Sequence, residues 1–305
     1  MSAKVVVRDL EKRYGATHAV RGVSLDIHDG EIFGMLGPNG AGKTTTIECI
    51  IGLREPDSGT IEVCGIDARR RPRDVKQKIG AALQTTSLQD AITPREVLTL
   101  FGSFYRDQSA PGHLLERFGL VNKADAKFDS LSAGQRQRLA LALAFVNKPE
   151  LVFLDEPTTG LDALSRRELH GEILRMKEDG HTVLLSTHYM EEAETLCDRV
   201  AIIDKGRIAA TGATRDLIAQ SKAAPEVFVV ATRPLDRQMI ARIGGISDVV
   251  CEGSTARFRA AHVNRAVADL VSLLDAQQIE IAELHVQKAS LEDVFLELTG
   301  SALND

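Results

Sequence analysis

Gly37-Pro38-Asn39-Gly40-Ala41-Gly42-Lys43-Thr44, followed by Thr45, satisfies the spacing G-x-x-x-x-G-K-[ST]. Glycines so placed let successive backbone N–H groups turn inward around a phosphate. The lysine offers a point charge to the β and γ oxygens, and the Thr44 hydroxyl is placed for Mg²⁺. Further along, the apolar run Leu151-Val152-Phe153-Leu154 delivers two acids, Asp155 and Glu156, just before Pro157. Asp155 suits a Mg²⁺ role through coordinated water, and Glu156 suits the task of polarising a water for attack on a γ-phosphorus. An acidic pair alone reads equally well as a surface turn; the glycine loop upstream gives it meaning.

Such residues work only if the right elements present them. Ile32–Leu36 reads as a strand running into the glycine loop, and Thr44–Gly52 as the helix leaving it, the context that loop requires. Strands are also predicted at Lys4–Leu10 and Val20–Ile27, with an Asp29-Gly30 turn after the second. Another is predicted at Thr60–Cys64, after the turn Pro56-Asp57-Ser58-Gly59. Leu151–Leu154 and Thr182–Ser186 lack polar alternation, as central parallel strands buried on both faces do. Ala163–Lys177 reads as the helix between them, in a right-handed crossover. From about Pro94 to Asn147 the pattern is helical, so a helical subdomain is expected at about 86–150.

Near 222 the pattern changes. The remainder reads as strand Glu226–Ala231, helix Leu235–Ile243, strands Val249–Cys251 and Ala256–Ala260, helix His262–Ala276, strand Ile279–Val286 and helix Ser290–Leu298. The first six have the β-α-β-β-α-β order of a ferredoxin-like module. The expected fold is α/β: a P-loop NTPase core over 1–221, mainly parallel with antiparallel N-terminal strands and carrying the helical subdomain, then an α+β ferredoxin-like domain over 222–305.

Composition narrows the partners. The chain has 305 residues, 44% of them hydrophobic, and a net charge of −6, so it lacks the basic footprint of a nucleic-acid binder and none is expected. Its four cysteines, Cys49, Cys64, Cys197 and Cys251, have no metal-ligand spacing and read as packing residues in a reducing compartment. The N-terminus lacks the apolar run of a secretory signal. The richest later run, 139–146, falls well short of the ~20 residues that cross a bilayer. A transport role would need a path supplied by another chain.

At Leu131-Ser132-Ala133-Gly134-Gln135 the sequence resembles the signature motif of ABC ATPases, and Lys4 to Gly212 then follows that family's order. Read physically, Ser132 and Gln135 form a capping box, and Ser132 and Gly134 expose donors at a helix N-terminus. The resemblance implies that this motif reaches the γ-phosphate held by an opposing subunit. The chain is therefore expected to work as a nucleotide-sandwiched dimer, pairing with a second ATP-binding subunit, itself by preference. It further implies that Tyr14 stacks on adenine, Gln84 contacts Mg²⁺, and His188 senses the γ-phosphate. Gly160-Leu161-Asp162 would be the loop that communicates between sites, with Asp162 beside the nucleotide. Leu83 departs from the proline that many relatives carry before the glutamine.

Residues 285–300 resemble the end of drug-export ATP-binding subunits of the daunorubicin-resistance type. Ser290 with Asp293 caps a helix that places Leu291, Val294, Phe295 and Leu298 on one face. The helix either packs on its own domain or docks on the ATPase core or the partner. Ala68-Arg69-Arg70-Arg71-Pro72-Arg73 reads as a solvated loop, with anionic headgroups as the alternative. The resemblance thus implies an ATPase with Mg²⁺ as cofactor, peripheral at the cytoplasmic face of the cell membrane. It would drive export through a separate permease contacted around Gln84–Tyr105. A soluble ABC ATPase acting on ribosomes or DNA, and a P-loop kinase, are the rival readings.

Overall fold

The structure, a computed structural model, describes residues 3–84, 88–221 and 223–300. The chain divides into two compact units between Thr214 and Arg215.

The larger unit contains β1 (Ala3–Tyr14), β2 (Thr17–His28), β3 (Ile32–Leu36), α1 (Lys43–Ile50), β4 (Ser58–Val63), β5 (Ile66–Asp67), α2 (Pro72–Lys76) and β6 (Ile79–Ala82). After these come α3 (Pro94–Gly102), α4 (Pro111–Arg117), α5 (Ala133–Ala144), β7 (Leu151–Asp155), α6 (Ala163–Glu178), β8 (Thr182–Thr187), α7 (Met190–Leu196), β9 (Arg199–Asp204) and β10 (Arg207–Ala213). Two sheets result. One is antiparallel, ordered β2-β1-β4-β5; the other is ordered β10-β9-β3-β8-β7-β6, parallel except for the edge strand β10. Every residue of β3, β7 and β8 is buried, which is why these strands read as unbroken apolar runs.

Strand order places the chemistry. β8 lies between β3 and β7, with Leu36 opposite Thr187 and Asp155 opposite Ser186. The glycine loop, the acidic pair and His188 therefore leave three adjacent strands at the same carboxyl edge, where open α/β sheets bind ligands. β6, too short and small in its side chains to be legible in sequence, extends the sheet beyond β7. A Cβ on its Gly80 would stand 1.9 Å from the Ala144 carbonyl at the end of α5, so only glycine lets that helix end so close.

Between β6 and β7 the regular structure is helical, as the pattern predicts. Capping boxes at Thr93 and Ser132 start α3 and α5.

The smaller unit follows the start of α8 (Thr214–Gln220) and contains β11 (Glu226–Ala231), α9 (Arg237–Ile240), β12 (Ile246–Glu252), β13 (Thr255–Ala260), α10 (Val263–Ala276), β14 (Ile281–Gln287) and α11 (Leu291–Thr299). Its sheet is antiparallel in the order β12-β13-β11-β14, the ferredoxin-like arrangement. Val227, Val229, Phe258, Leu270 and Leu274 form its core. The helix predicted at Leu235–Ile243 is shorter: Asp236 caps its start through the Gln238 N–H, and the chain leaves the helix before Gly244-Gly245. In α11 the capping box is present, and Leu291, Val294 and Phe295 are buried, but Leu298 is 46% exposed. The predicted stripe is thus one residue too long, because that helix's last turn faces solvent.

Candidate functional site

The glycine loop closes around its own lysine. Lys43 Nζ donates to the Gly37 and Pro38 carbonyls at 2.8 and 3.1 Å, and its side chain is only 4% exposed. Gly42, at the start of α1, has φ +104°, and a Cβ there would meet the Ala19 carbonyl at 2.4 Å; backbone freedom and close approach both demand glycine. Thr44 is exposed, whereas Ala41 is buried beneath the loop.

At the end of β7 the two acids part. Asp155, 1% exposed, accepts from the Ser186 hydroxyl through Oδ1, while its Oδ2 has no hydrogen-bond partner among the described residues. Glu156 turns the other way at φ +48°, a strained backbone for a residue with a side chain. Its N–H is held by the Ser186 hydroxyl at 3.0 Å and the Ser186 carbonyl at 3.1 Å, which holds the turn in place.

That turn aims the Glu156 carboxylate into a ring of donors. Oε1 stands 3.3 Å from Lys43 Nζ, and Oε2 lies 3.3 Å from the Thr159 hydroxyl and 3.5 Å from Gln84 Nε2. His188 Nδ1 is also 3.3 Å from Oε2, an ion-pair distance when the ring carries a proton. Burial raises the Glu156 pKa, but Lys43 and His188 outweigh it and hold the carboxyl below its ordinary value. For Lys43 burial wins over the Glu156 and Asp155 charges, and its ammonium lies below the usual lysine value.

A cleft of about 630 Å³ opens here, lined by Tyr14, Ala19, Asn39, Gly40, Gly42, Lys43, Thr44, Thr45, Gln84, Glu156, Thr159 and His188. Tyr14 is 42% exposed at its edge, with Lys12 over its ring at 5.5 Å. The structure thus gathers most of the sequence-selected residues, with Gly37, Pro38, Ala41 and Asp155 directly behind them. Ser132, Gly134, Gln135 and Asp162 do not line it. Ser132 caps α5, its hydroxyl accepting from Gln135 N at 3.3 Å, and Asp162 caps α6, accepting from Leu164 N and Ser165 N.

Two residues that hold the acids escaped the sequence reading. Ser186 braces both acids from the neighbouring strand, and Thr159 donates to Glu156; neither belongs to a motif with its own spacing, and strand register alone brings Ser186 to Asp155.

The possible metal ligands also fit. Thr44 and Gln84 lie at the cleft, Asp155 has a buried oxygen unpaired among the described residues, and a hydroxyl, an amide and a carboxylate are hard oxygen donors of the kind Mg²⁺ prefers.

A phosphate cradle between strand and helix, beside a strand-end carboxylate pair, defines a P-loop nucleoside triphosphatase. Residues 20–159 match the ABC transporter family. Over 309 residues the chain is 38% identical to the Nod factor export ATP-binding protein I of Burkholderia lata, covering 99% of each. It is 36% identical to the linearmycin resistance ATP-binding protein of Bacillus subtilis, covering 97% of this chain and 98% of that one. Among solved structures it is similar to a dimeric ATP-binding cassette in a post-hydrolysis state bound to ADP and Pi, with a TM-score of 0.62 and 27% identity over 68% of this chain and 98% of that one. The chain belongs to the ABC transporter family of ATP-binding proteins, and it is an ATPase. Among the described residues no helix is long and apolar enough to cross a membrane.

Proposed function

We propose that this chain is the ATP-hydrolysing subunit of an ABC exporter, pairing with a second copy of itself and with a separate membrane permease, peripheral at the membrane's cytoplasmic face. The observation that carries the pairing is the division of the site: the cleft holds the phosphate loop and Glu156, while Ser132, Gly134 and Gln135 stand outside it on the capped start of α5. One chain then offers half of each of two sites, and a two-fold pair completes both. The export reading draws on the relatives named for Nod factor export and linearmycin resistance, which favours a drug, antibiotic or lipid-like cargo.

Tyr14 stacks on the base, residues 37–45 hold the phosphates, and Lys43 neutralises charge on the β and γ oxygens. Glu156, ionised and aimed into the cleft, orients and deprotonates the attacking water, and His188 faces the terminal phosphate. Mg²⁺, held by Thr44, Gln84 and Asp155, would offset charge on the diphosphate leaving group. When phosphate enters, the Lys43 ammonium exchanges one anionic partner for another, which frees Glu156 for its role as base.

Permease contact is supported by a second feature. A groove of about 420 Å³ is lined by Ile51, Leu53, Leu83, Leu88, Phe101 and Tyr105, and Leu53, Phe101 and the adjoining Phe104 are exposed. Phe104 is 66% exposed and meets Phe101 edge to face at 6.0 Å. Apolar surface left open in this way marks an interaction site.

Affinity purification of the tagged chain from detergent-solubilised native membranes tests the reading. A stoichiometric multi-span membrane protein is the expected companion. Recovery with ribosomes or DNA, and no membrane partner, would replace it with a soluble ABC ATPase.

A further inference from the structure

Glu156, the 158–162 loop and His188 are joined by a closed circuit of side-chain and backbone contacts. From Glu156 Oε2 it runs to the Thr159 hydroxyl at 3.3 Å and, within the same loop, through the Leu161 N–H to the Thr158 carbonyl at 3.2 Å. Arg166 Nη2 then donates to the Leu161 carbonyl at 3.4 Å, and the same guanidinium lies over the Tyr189 ring, 5.2 Å from its centre. The Tyr189 ring packs on the His188 ring at 4.1 Å, and His188 Nδ1 returns to Glu156 Oε2 at 3.3 Å.

One turn further along α6, His170 Nε2 meets Glu192 Oε1 at 3.0 Å, and Glu192 is only 3% exposed. Arg166 and His170 thus lie on one face of α6 and grip Tyr189 and Glu192 at the start of α7. Arg166 Nε is buried without a hydrogen-bond partner among the described residues. An unpaired buried donor is costly, so the guanidinium is placed for its contacts to Leu161 and Tyr189.

We infer that Arg166 is a positioning residue that locks the 160–162 loop to His188 through the Tyr189 ring. A displacement of that loop by a second subunit is then transmitted to the histidine beside the attacking water. The planar guanidinium suits this role because one face stacks on the ring while its edge still donates to a carbonyl. The inference rests on the proposed reading of His188 as facing the terminal phosphate.

The test is steady-state ATP hydrolysis by the purified full chain carrying Arg166→Ala, Tyr189→Ala, both together, or Tyr189→Phe. Arg166→Ala and Tyr189→Ala are each expected to lower kcat about ten-fold with KM for ATP within about two-fold, and the double variant to lose no more than either alone. Tyr189→Phe, which keeps the ring face, should recover most of the turnover, and melting temperatures should stay together. Wild-type kcat in Arg166→Ala overturns the coupling, as does a double loss equal to the product of the single ones. A fall in melting temperature that tracks the loss of kcat would assign Arg166 to folding and also overturn it. His188→Ala separates the two readings. If it is inactive while Arg166→Ala is normal, only the coupling falls; if it retains turnover, the role of His188 and the coupling fall together.

Discussion

Lys43 Nζ and Glu156 Oε1 stand 3.3 Å apart with side chains 4% and 7% exposed, so the cation of the phosphate loop and the strand-end acid are buried against each other. Removing one charge of such a pair leaves the other uncompensated, whereas exchanging the partner keeps both satisfied. In the proposed reading, ATP would supply that exchange.

Glu156→Gln keeps the shape of the side chain and its contacts but cannot take a proton. Nucleotide binding should persist while turnover falls about 100-fold or more, the ordinary contribution of a general base. Binding by a fluorescent ATP analogue and phosphate release measure the two separately, and hydrolysis at the wild-type rate removes Glu156 from the role of base. Before nucleotide enters, Lys43 and His188 hold the Glu156 carboxyl below its ordinary 4.5, so at neutral pH the side chain meets the substrate as the carboxylate a base must be.

Lys43→Met and Gly134→Asp should each be inactive alone. The second places a Cβ 3.0 Å from Ser165 Oγ, a tight contact, and adds an anion beside the capped helix start. If sites are shared across a two-fold pair, a mixed dimer contains one intact site, and equal mixing should restore up to about a quarter of the wild-type rate. No recovery after verified subunit exchange would mean that each chain hydrolyses ATP by itself.

Phe104→Asp alters a side chain that is 66% exposed and outside the nucleotide cleft. Basal ATP hydrolysis and melting temperature should be unchanged, while recovery of the membrane partner from solubilised membranes drops at least about ten-fold, as loss of an apolar anchor costs in an interface. Undiminished recovery would place the permease elsewhere on the surface.

In the smaller unit Asp293 takes hydrogen bonds from Ser290 N at 2.9 Å and Arg259 Nη2 at 2.6 Å. Burial raises its pKa, but those donors together hold it below the ordinary 3.8. A depressed carboxylate contributes stability that is complete above its unfolded value and lost as the pH falls through its folded one. Asp293→Asn should therefore destabilise α11 by about 1–2 kcal/mol at neutral pH, the range of a helix cap with a charged partner. Hydrogen exchange of α11 amides should show the gap narrowing only below pH 3.8; a gap that does not depend on pH would assign the cap to shape alone.

Local chemistry was legible in the sequence because backbone and motif are the same object there. The glycine spacing at 37–44 dictates a phosphate cradle wherever strand and helix flank it, an S-x-x-Q or S-x-x-D pattern closes on itself within one helical turn, and an apolar run such as Leu151–Leu154 must be covered on both faces. Contacts made across strands were not legible. That Ser186 braces both acids follows from the β7–β8 register, and that Arg166 reaches Tyr189 follows from how α6 lies along α7. Neither has a sequence spacing, because parallel neighbours are joined by crossovers whose length is free. Glu156 joins the two levels: its type and its place after a buried strand are written in the chain, but its +48° turn toward Lys43 depends on hydrogen bonds its N–H donates to a strand thirty residues away, which only the folded sheet brings within reach.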